Sequence, residues 1–282
     1  MKIFDSPYEI QAELTALKRS GKKIGLIPTM GNLHRGHLSL FQLAQKNCDI
    51  LVGSIFVNPM QFGANEDLDQ YPRTLQQDIN KLTEIGVDYL FTPTNETIYP
   101  IGTKVNTSVE VNRLTKRLCG ESRPEHFRGV ATVVTILFNI LQPDLVIFGK
   151  KDYQQYLILS AMVKDLFLPI EIIGGEIVRE DNGLAMSSRN KFLTNEQKNQ
   201  ASFLQATLLA IAEKIKLGQR DYSTLKQLAI EQLEQNDFKV DYFEICNKIT
   251  LEDASPNDSE LLIAAAAWMG QPRLLDNIEV SI

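Results

Sequence analysis

Apolar and polar positions along most of the chain switch between two periods. Short continuous apolar runs, "KKIGLIP", "CDILVGSIFVN", "VDYLFTP", "DLVIFG" and "IEIIGGEIV", recur at intervals. Runs this short and this uniformly apolar predict strands buried on both faces. Between them lie "HLSLFQLAQKN", "TLQQDINKLTEIG", "RGVATVVTILFNILQ" and "DYQQYLILSAMVKDLF". These predict helices; in the first, Leu38, Phe41 and Leu43 with Ala44 fall near helical spacing. An earlier helix is announced by Ser6 as N-cap, Pro7 as first residue and Glu9 completing a capping box, with Gly21 as its stop.

Strand and helix repeated in this order predict a parallel sheet with helices on both faces and right-handed crossovers. The pattern changes after about residue 175. "VREDNGLAMSSRNKFLT" reads as a polar loop, 196–217 and 222–235 as helices, and "VDYFEIC" and "ELLIAAAAW" as strands. The expected fold is therefore α/β. A Rossmann-like, doubly wound parallel sheet spans 1–175, and a smaller C-terminal α+β domain spans 176–282.

Composition narrows the function classes. No window approaches 18 uninterrupted apolar residues, so no membrane span is expected. "MKIFDSPYEI" lacks the basic-then-apolar order of a secretory signal. The net charge of −6 disfavours a nucleic-acid partner. Cys48, Cys119 and Cys246 are far apart, which argues against a disulfide framework and against a cysteine zinc site. A cytoplasmic location is the natural expectation.

The candidate chemistry starts at "PTMGNLHRGHLSL". Open parallel sheets bind ligands at the carboxyl ends of their strands, where this stretch is expected to lie. A helix beginning near Arg35 and Gly36 points unpaired N–H groups and a positive dipole end at that crevice, an arrangement that receives phosphate. Gly31 permits a tight turn and Gly36 a close approach of ligand to backbone. His34 and His37, two of only three histidines, share one helix face. They suit donation to phosphoryl oxygens. The alternatives are a pair of solvent-facing histidines at a helix start and a zinc pair, the latter without a nearby third ligand. Gly149, Lys150, Lys151 and Asp152 form a second strand-to-helix junction with a cation suited to phosphate. In "AMSSRN", Met186, Ser187, Ser188 and Arg189 add hydroxyls and a guanidinium fork. Asp88 and Asp152 are the carboxylates considered for a magnesium ion.

The "HxGH" helix start resembles the HIGH motif of the nucleotidyltransferase superfamily, and "AMSSRN" resembles its KMSKS-type loop. "PTMGNLHRGH", "SIFVNPMQF", "YPRTLQQD", "RPEHFRGVATVV", "QPDLVIFGKKDYQQ", "GLAMSSRN" and "AAAAWMGQPRLLDN" together resemble the pantothenate synthetase (pantoate–β-alanine ligase) family, in family order over nearly the whole chain. The resemblance implies an enzyme that activates pantoate with ATP as pantoyl adenylate and passes the acyl group to β-alanine. It implies ATP binding by Met30, Gly31, Asn32, Leu33, His34, Arg35, Gly36, His37, Gly149, Lys150, Lys151, Asp152, Val178, Met186, Ser187, Ser188 and Arg189. It assigns pantoate to Gln61 and Gln155, and the active-site acid to His37. Phosphate-directed catalytic donors are then His34, His37, Lys151, Ser187, Ser188 and Arg189, with Mg2+ neutralising the polyphosphate. A homodimer is also implied. Lys150 replaces a common acidic residue and adds positive charge beside the phosphates. Glu125 replaces a common glycine in the flap around His126 and Arg128, where His126 reads as structural or flap-forming. Two rivals stand at this stage: another HIGH-type enzyme, and a nucleotide sensor without catalysis.

Overall fold

The computed structural model describes residues 1–63, 68–104 and 107–282. The chain divides into two compact units. The first comprises 1–116, 120–150 and 154–176; the second comprises 117–119, 151–153 and 177–282.

The first unit is built on six parallel strands: β1 (Lys2–Phe4), β2 (Ile24–Thr29), β3 (Ile50–Ile55), β4 (Tyr89–Phe91), β5 (Leu145–Gly149) and β6 (Glu171–Gly175). Their order is β1-β4-β3-β2-β5-β6, and every pairing is parallel. From β2 the chain winds outward through β3 and β4. It then returns to the other side of β2 for β5 and β6. This reversal makes a topological switch point between β2 and β5, where open α/β sheets bind ligands.

The helices are α1 (Pro7–Arg19), α2 (Arg35–Gln45), α3 (Leu75–Glu84), α4 (Asn95–Ile98), α5 (Cys119–Ser122), α6 (His126–Leu141) and α7 (Tyr153–Asp165). Ser6 caps α1 as expected, its hydroxyl accepting from the Glu9 N–H at 3.4 Å, and Gly21 follows at φ +83°. α2 lays Leu40, Phe41 and Ala44 on the sheet with Ile27, Leu51, Leu90 and Ile147. Gly53 in β3 lets the Phe41 ring rest there, since a Cβ would stand 3.1 Å from it. α6 is helical despite its Val and Thr content because it is buried on most sides; burial overrides a modest propensity cost. β1 was not anticipated. Three residues on a sheet edge, two of them exposed, carry no periodic signal.

The second unit carries an antiparallel sheet, β7 (Lys239–Asn247), β8 (Glu260–Trp268) and β9 (Arg273–Ser281). Around it stand α8 (Asn195–Ala201), α9 (Phe203–Lys216) and α10 (Tyr222–Glu234). The single helix expected over 196–217 is two. Ser202 donates its hydroxyl to the Asn199 carbonyl at 2.6 Å and separates α8 from α9. Such side-chain capture of a helix carbonyl competes with the backbone ladder. β9 was missed because buried Asp276 and Asn277 interrupt its apolar alternation.

Candidate active site

The loop after β2 lies at the switch point. Gly31 (φ +82°) and Asn32 (φ +52°) are consecutive positive-φ residues. The Gly31 N–H donates to Thr29 Oγ1 at 3.2 Å. The Asn32 and Leu33 N–H groups donate to separate oxygens of Asp78, each at 2.8 Å. Thr74 donates its hydroxyl to the same carboxylate at 3.0 Å. Asp78 lies on α3 and is fully buried. One turn later Lys81 donates to the Leu33 carbonyl at 2.6 Å.

α2 starts directly after this loop. His34 is its N-cap and His37 its third residue, and the two form a reciprocal capping box. His34 Nδ1 accepts from the Gly36 N–H at 3.2 Å, and the His34 N–H donates to His37 Nδ1 at 3.3 Å. An Nδ1 used as acceptor places the proton of a neutral imidazole on Nε2. Both rings are thereby fixed as Nε2–H donors. Their centroids lie 4.0 Å apart. Arg35 is exposed at the first helical position.

β3 leads into a 3-10 turn, Pro59–Gln61, capped by Asn58. Asn58 and Gln61 are both buried. Asn58 donates to Gln61 Oε1 and to the Gly129 carbonyl, each at 3.1 Å, and accepts from the Tyr99 hydroxyl at 2.7 Å. Burial pushes the Tyr99 phenol well above its ordinary value, so it remains a donor. Gln61 Nε2 donates to Met30 Sδ at 3.2 Å. The expected pantoate residue therefore touches the expected nucleotide loop. His126 at the start of α6 donates its Nδ1–H to the Gln61 carbonyl at 2.8 Å, and Arg123, between α5 and α6, donates to the same oxygen at 3.3 Å. His126 thus supports the Gln61 turn. Glu125 precedes α6 and pairs with Arg128.

β5 ends at Gly149 and passes into a 3-10 turn, Lys150–Asp152, before α7. Lys150 Nζ pairs with Glu176 at 2.6 Å. The extra positive charge expected of it is thereby compensated. Gln154 is buried and donates to the Leu114 carbonyl at 2.8 Å, which leaves half-buried Gln155 as the glutamine suited to a ligand. Asp88 precedes β4 and accepts from the Leu51 N–H at the start of β3. That is the amino edge of the sheet, opposite the switch point, so Asp88 is removed as a magnesium candidate.

In the second unit Lys151 Nζ lies 3.7 Å from Asp152 Oδ1. Asn277 on β9 donates to the Lys151 carbonyl at 2.9 Å. The segment read as a loop is a small hairpin. Arg179 bridges Ala185, the Met186 N–H donates to the Val178 carbonyl at 3.0 Å, and Gly183 turns the chain at φ +94°. Arg179 holds its base through a bidentate pair with buried Asp276, at 2.6 and 2.9 Å. Ser187 caps the 3-10 turn Ser188–Phe192, accepting from the Arg189 N–H at 3.2 Å. Buried Asn190 ties that turn to Glu180 and to the Ala185 carbonyl. Met186, Ser187, Ser188 and Arg189 are half-buried.

Sequence reading missed Asp78, Lys81, Asn58, Tyr99, Asp276 and Asn277. Asp78 and Asn58 stand inside the quoted "YPRTLQQD" and "SIFVNPMQF" blocks, which was the available signal.

A doubly wound parallel sheet whose switch point carries a histidine-capped HxGH helix start defines an open-sheet α/β protein of the class that binds ligands at that point. The family model described as Pantoate-beta-alanine ligase matches residues 2–279. A Pseudomonas fluorescens pantothenate synthetase is 50% identical over 274 residues, covering 97% of this chain and 96% of the relative. The crystal structure of pantothenate synthetase from Thermus thermophilus matches with a TM-score of 0.93 at 41% identity, over 100% of both chains. Pantoate-beta-alanine ligase from Francisella tularensis, solved as a complex with beta-gamma ATP and beta-alanine, matches with a TM-score of 0.79 at 36% identity, over 99% and 97%. The chain belongs to the pantoate–β-alanine ligase family and is an enzyme of that class.

Proposed function

We propose that the enzyme condenses (R)-pantoate with β-alanine in two steps, using ATP. The pantoate carboxylate attacks the α-phosphorus, forming pantoyl adenylate and releasing pyrophosphate. The amine of β-alanine then attacks the acyl carbon, loses a proton and displaces AMP, giving pantothenate. The observation that carries this reading is the contact of Gln61 with Met30 at the switch point, which sets an acid-binding amide against the nucleotide loop.

In this reading ATP is bound by residues 30–37, 149–152, 178 and 186–189. His34 and His37 offer Nε2–H groups to phosphoryl oxygens, and His37 serves the reacting phosphate. Lys151, Ser187, Ser188 and Arg189 supply further donors where charge develops on the α-phosphate and on pyrophosphate. A magnesium ion bound with ATP would screen polyphosphate charge, and exposed Asp152 is the carboxylate that would help to hold it. Gln61 and Gln155 hold pantoate through neutral amides. A neutral binder leaves the carboxylate nucleophilic, whereas a salt bridge would blunt it. The 1–175 segment serves as the ATP- and pantoate-binding domain and 176–282 as a lid carrying the MSSR loop. The enzyme works in the cytoplasm as a homodimer, which sedimentation at twice the chain mass would support and at the chain mass would refute. Among the described residues no helix is long and apolar enough to cross a membrane.

The test uses pantoate labelled with 18O in its carboxylate, together with ATP and β-alanine. Attack at the α-phosphorus carries one label into AMP. AMP release independent of β-alanine sinks the ligase reading, and unlabelled AMP sinks the adenylate.

A further inference from the structure

We propose that Asp78 and Lys81 of α3 are positioning residues for the nucleotide loop, and that ATP affinity depends on them through residues 31–37. The proposal rests on the reading of that loop as an ATP site.

Asp78 has no exposed surface, and a buried carboxylate is costly unless its oxygens are satisfied. Here both oxygens are engaged by donors that belong to the loop or flank α3. The Asn32 and Leu33 N–H groups are consecutive, and Asn32 is held at a positive φ of 52°. The two N–H groups converge on one anion, and that anion is the protein's own side chain. Without it two peptide donors lose their partner, and Asn32 loses what holds it in a sparsely populated conformation. The fit is close: a Cβ on Gly31 would stand 3.2 Å from Asp78 Oδ2 and 3.1 Å from Ile55 Cγ2.

Lys81 acts on the next peptide. The peptide joining Leu33 to His34 is held at both ends. Its carbonyl accepts from Lys81 Nζ at 2.6 Å, and its N–H donates to His37 Nδ1 at 3.3 Å. That peptide cannot rotate without releasing the His37 ring. Lys81 therefore sets the direction of His37 Nε2–H, although it is no part of the histidine motif. The two α3 side chains, opposite in charge, grip adjacent peptides of one loop. Both act through the backbone of the loop rather than by touching substrate.

The experiment compares the wild-type enzyme with Asp78→Asn and Lys81→Met. Readouts are the melting temperature, ATP binding by calorimetry, and KM for ATP, pantoate and β-alanine separately. In Asp78→Asn one oxygen becomes an N–H2 group that faces a peptide donor. ATP affinity should fall about tenfold or more, while KM for pantoate stays within about twofold. Lys81→Met keeps the aliphatic stem and removes one charged hydrogen bond. ATP affinity should fall roughly three- to tenfold, with the melting temperature close to that of wild type. A folded variant that binds ATP as wild type does overturns the proposal, as does a parallel rise of KM for ATP and pantoate. If Asp78→Asn does not fold, Lys81→Met decides the matter by the same criteria. A wild type that binds ATP but makes no pantothenate sinks the ligase reading and leaves the loop to be tested by calorimetry alone.

Discussion

At the scale of single residues, neighbours of one type have been given different work. Lys150 and Lys151 are adjacent, yet Lys150 is paired with Glu176 while the backbone of Lys151 is anchored by Asn277. Gln154 and Gln155 divide in the same way, the first spent on the Leu114 carbonyl. The dipeptides were visible in the sequence, but the division was not, because it depends on partners from other elements. Lys151→Ala should therefore slow adenylation by roughly 10²- to 10³-fold, since it removes one fixed cationic donor from a phosphoryl-transfer site. Pantoate-dependent pyrophosphate release measures this, with circular dichroism as the check on folding. Near-normal release from the folded variant would remove Lys151 from the mechanism.

At the scale of elements, α6 shows how a helix positions a turn. Gly129 brings the α6 backbone so near the 3-10 turn Pro59–Gln61 that a Cβ would stand 2.4 Å from the Met60 carbonyl oxygen and 2.7 Å from the Gln61 N. Asn58 donates to the Gly129 carbonyl across the same contact. Because the clashing atoms are backbone, Gly129→Ala must push the turn away. Its expected cost is about 1–3 kcal/mol, as for other overpacked sites, with a raised KM for pantoate. Urea unfolding and steady-state kinetics measure the two effects. An alanine variant of wild-type stability and KM would show that the helix and turn separate cheaply. Most strands and helices were legible in the sequence because each carries its own period. β9 was not, since its buried Asp276 and Asn277 look like loop residues until Arg179 and Lys151 are seen to use them.

At the scale of the whole molecule, the candidate donors are distributed over both compact units. Residues 30–37 lie in the first, and Lys151 with residues 186–189 in the second. The proposed lid role of 176–282 predicts slower amide exchange over residues 183–190 when ATP is added. Exchange there that ignores ATP, while residues 31–37 become protected, would confine nucleotide binding to the first unit.

The sequence by itself determined the strand and helix alternation, the doubly wound class, the histidine pair at a helix start and the set of blocks that mark the family. Each of these is a local pattern, complete within one element or one loop. Tertiary structure decided what holds those patterns in working geometry. Asp78 reaches Asn32 across 46 positions of sequence, Arg123 reaches Gln61 across 62, and Asn277 reaches Lys151 across 126. A polar residue on a helix or strand has the same appearance in sequence whether it meets water or a buried peptide. Only the packing of distant elements removes the water and supplies the partner.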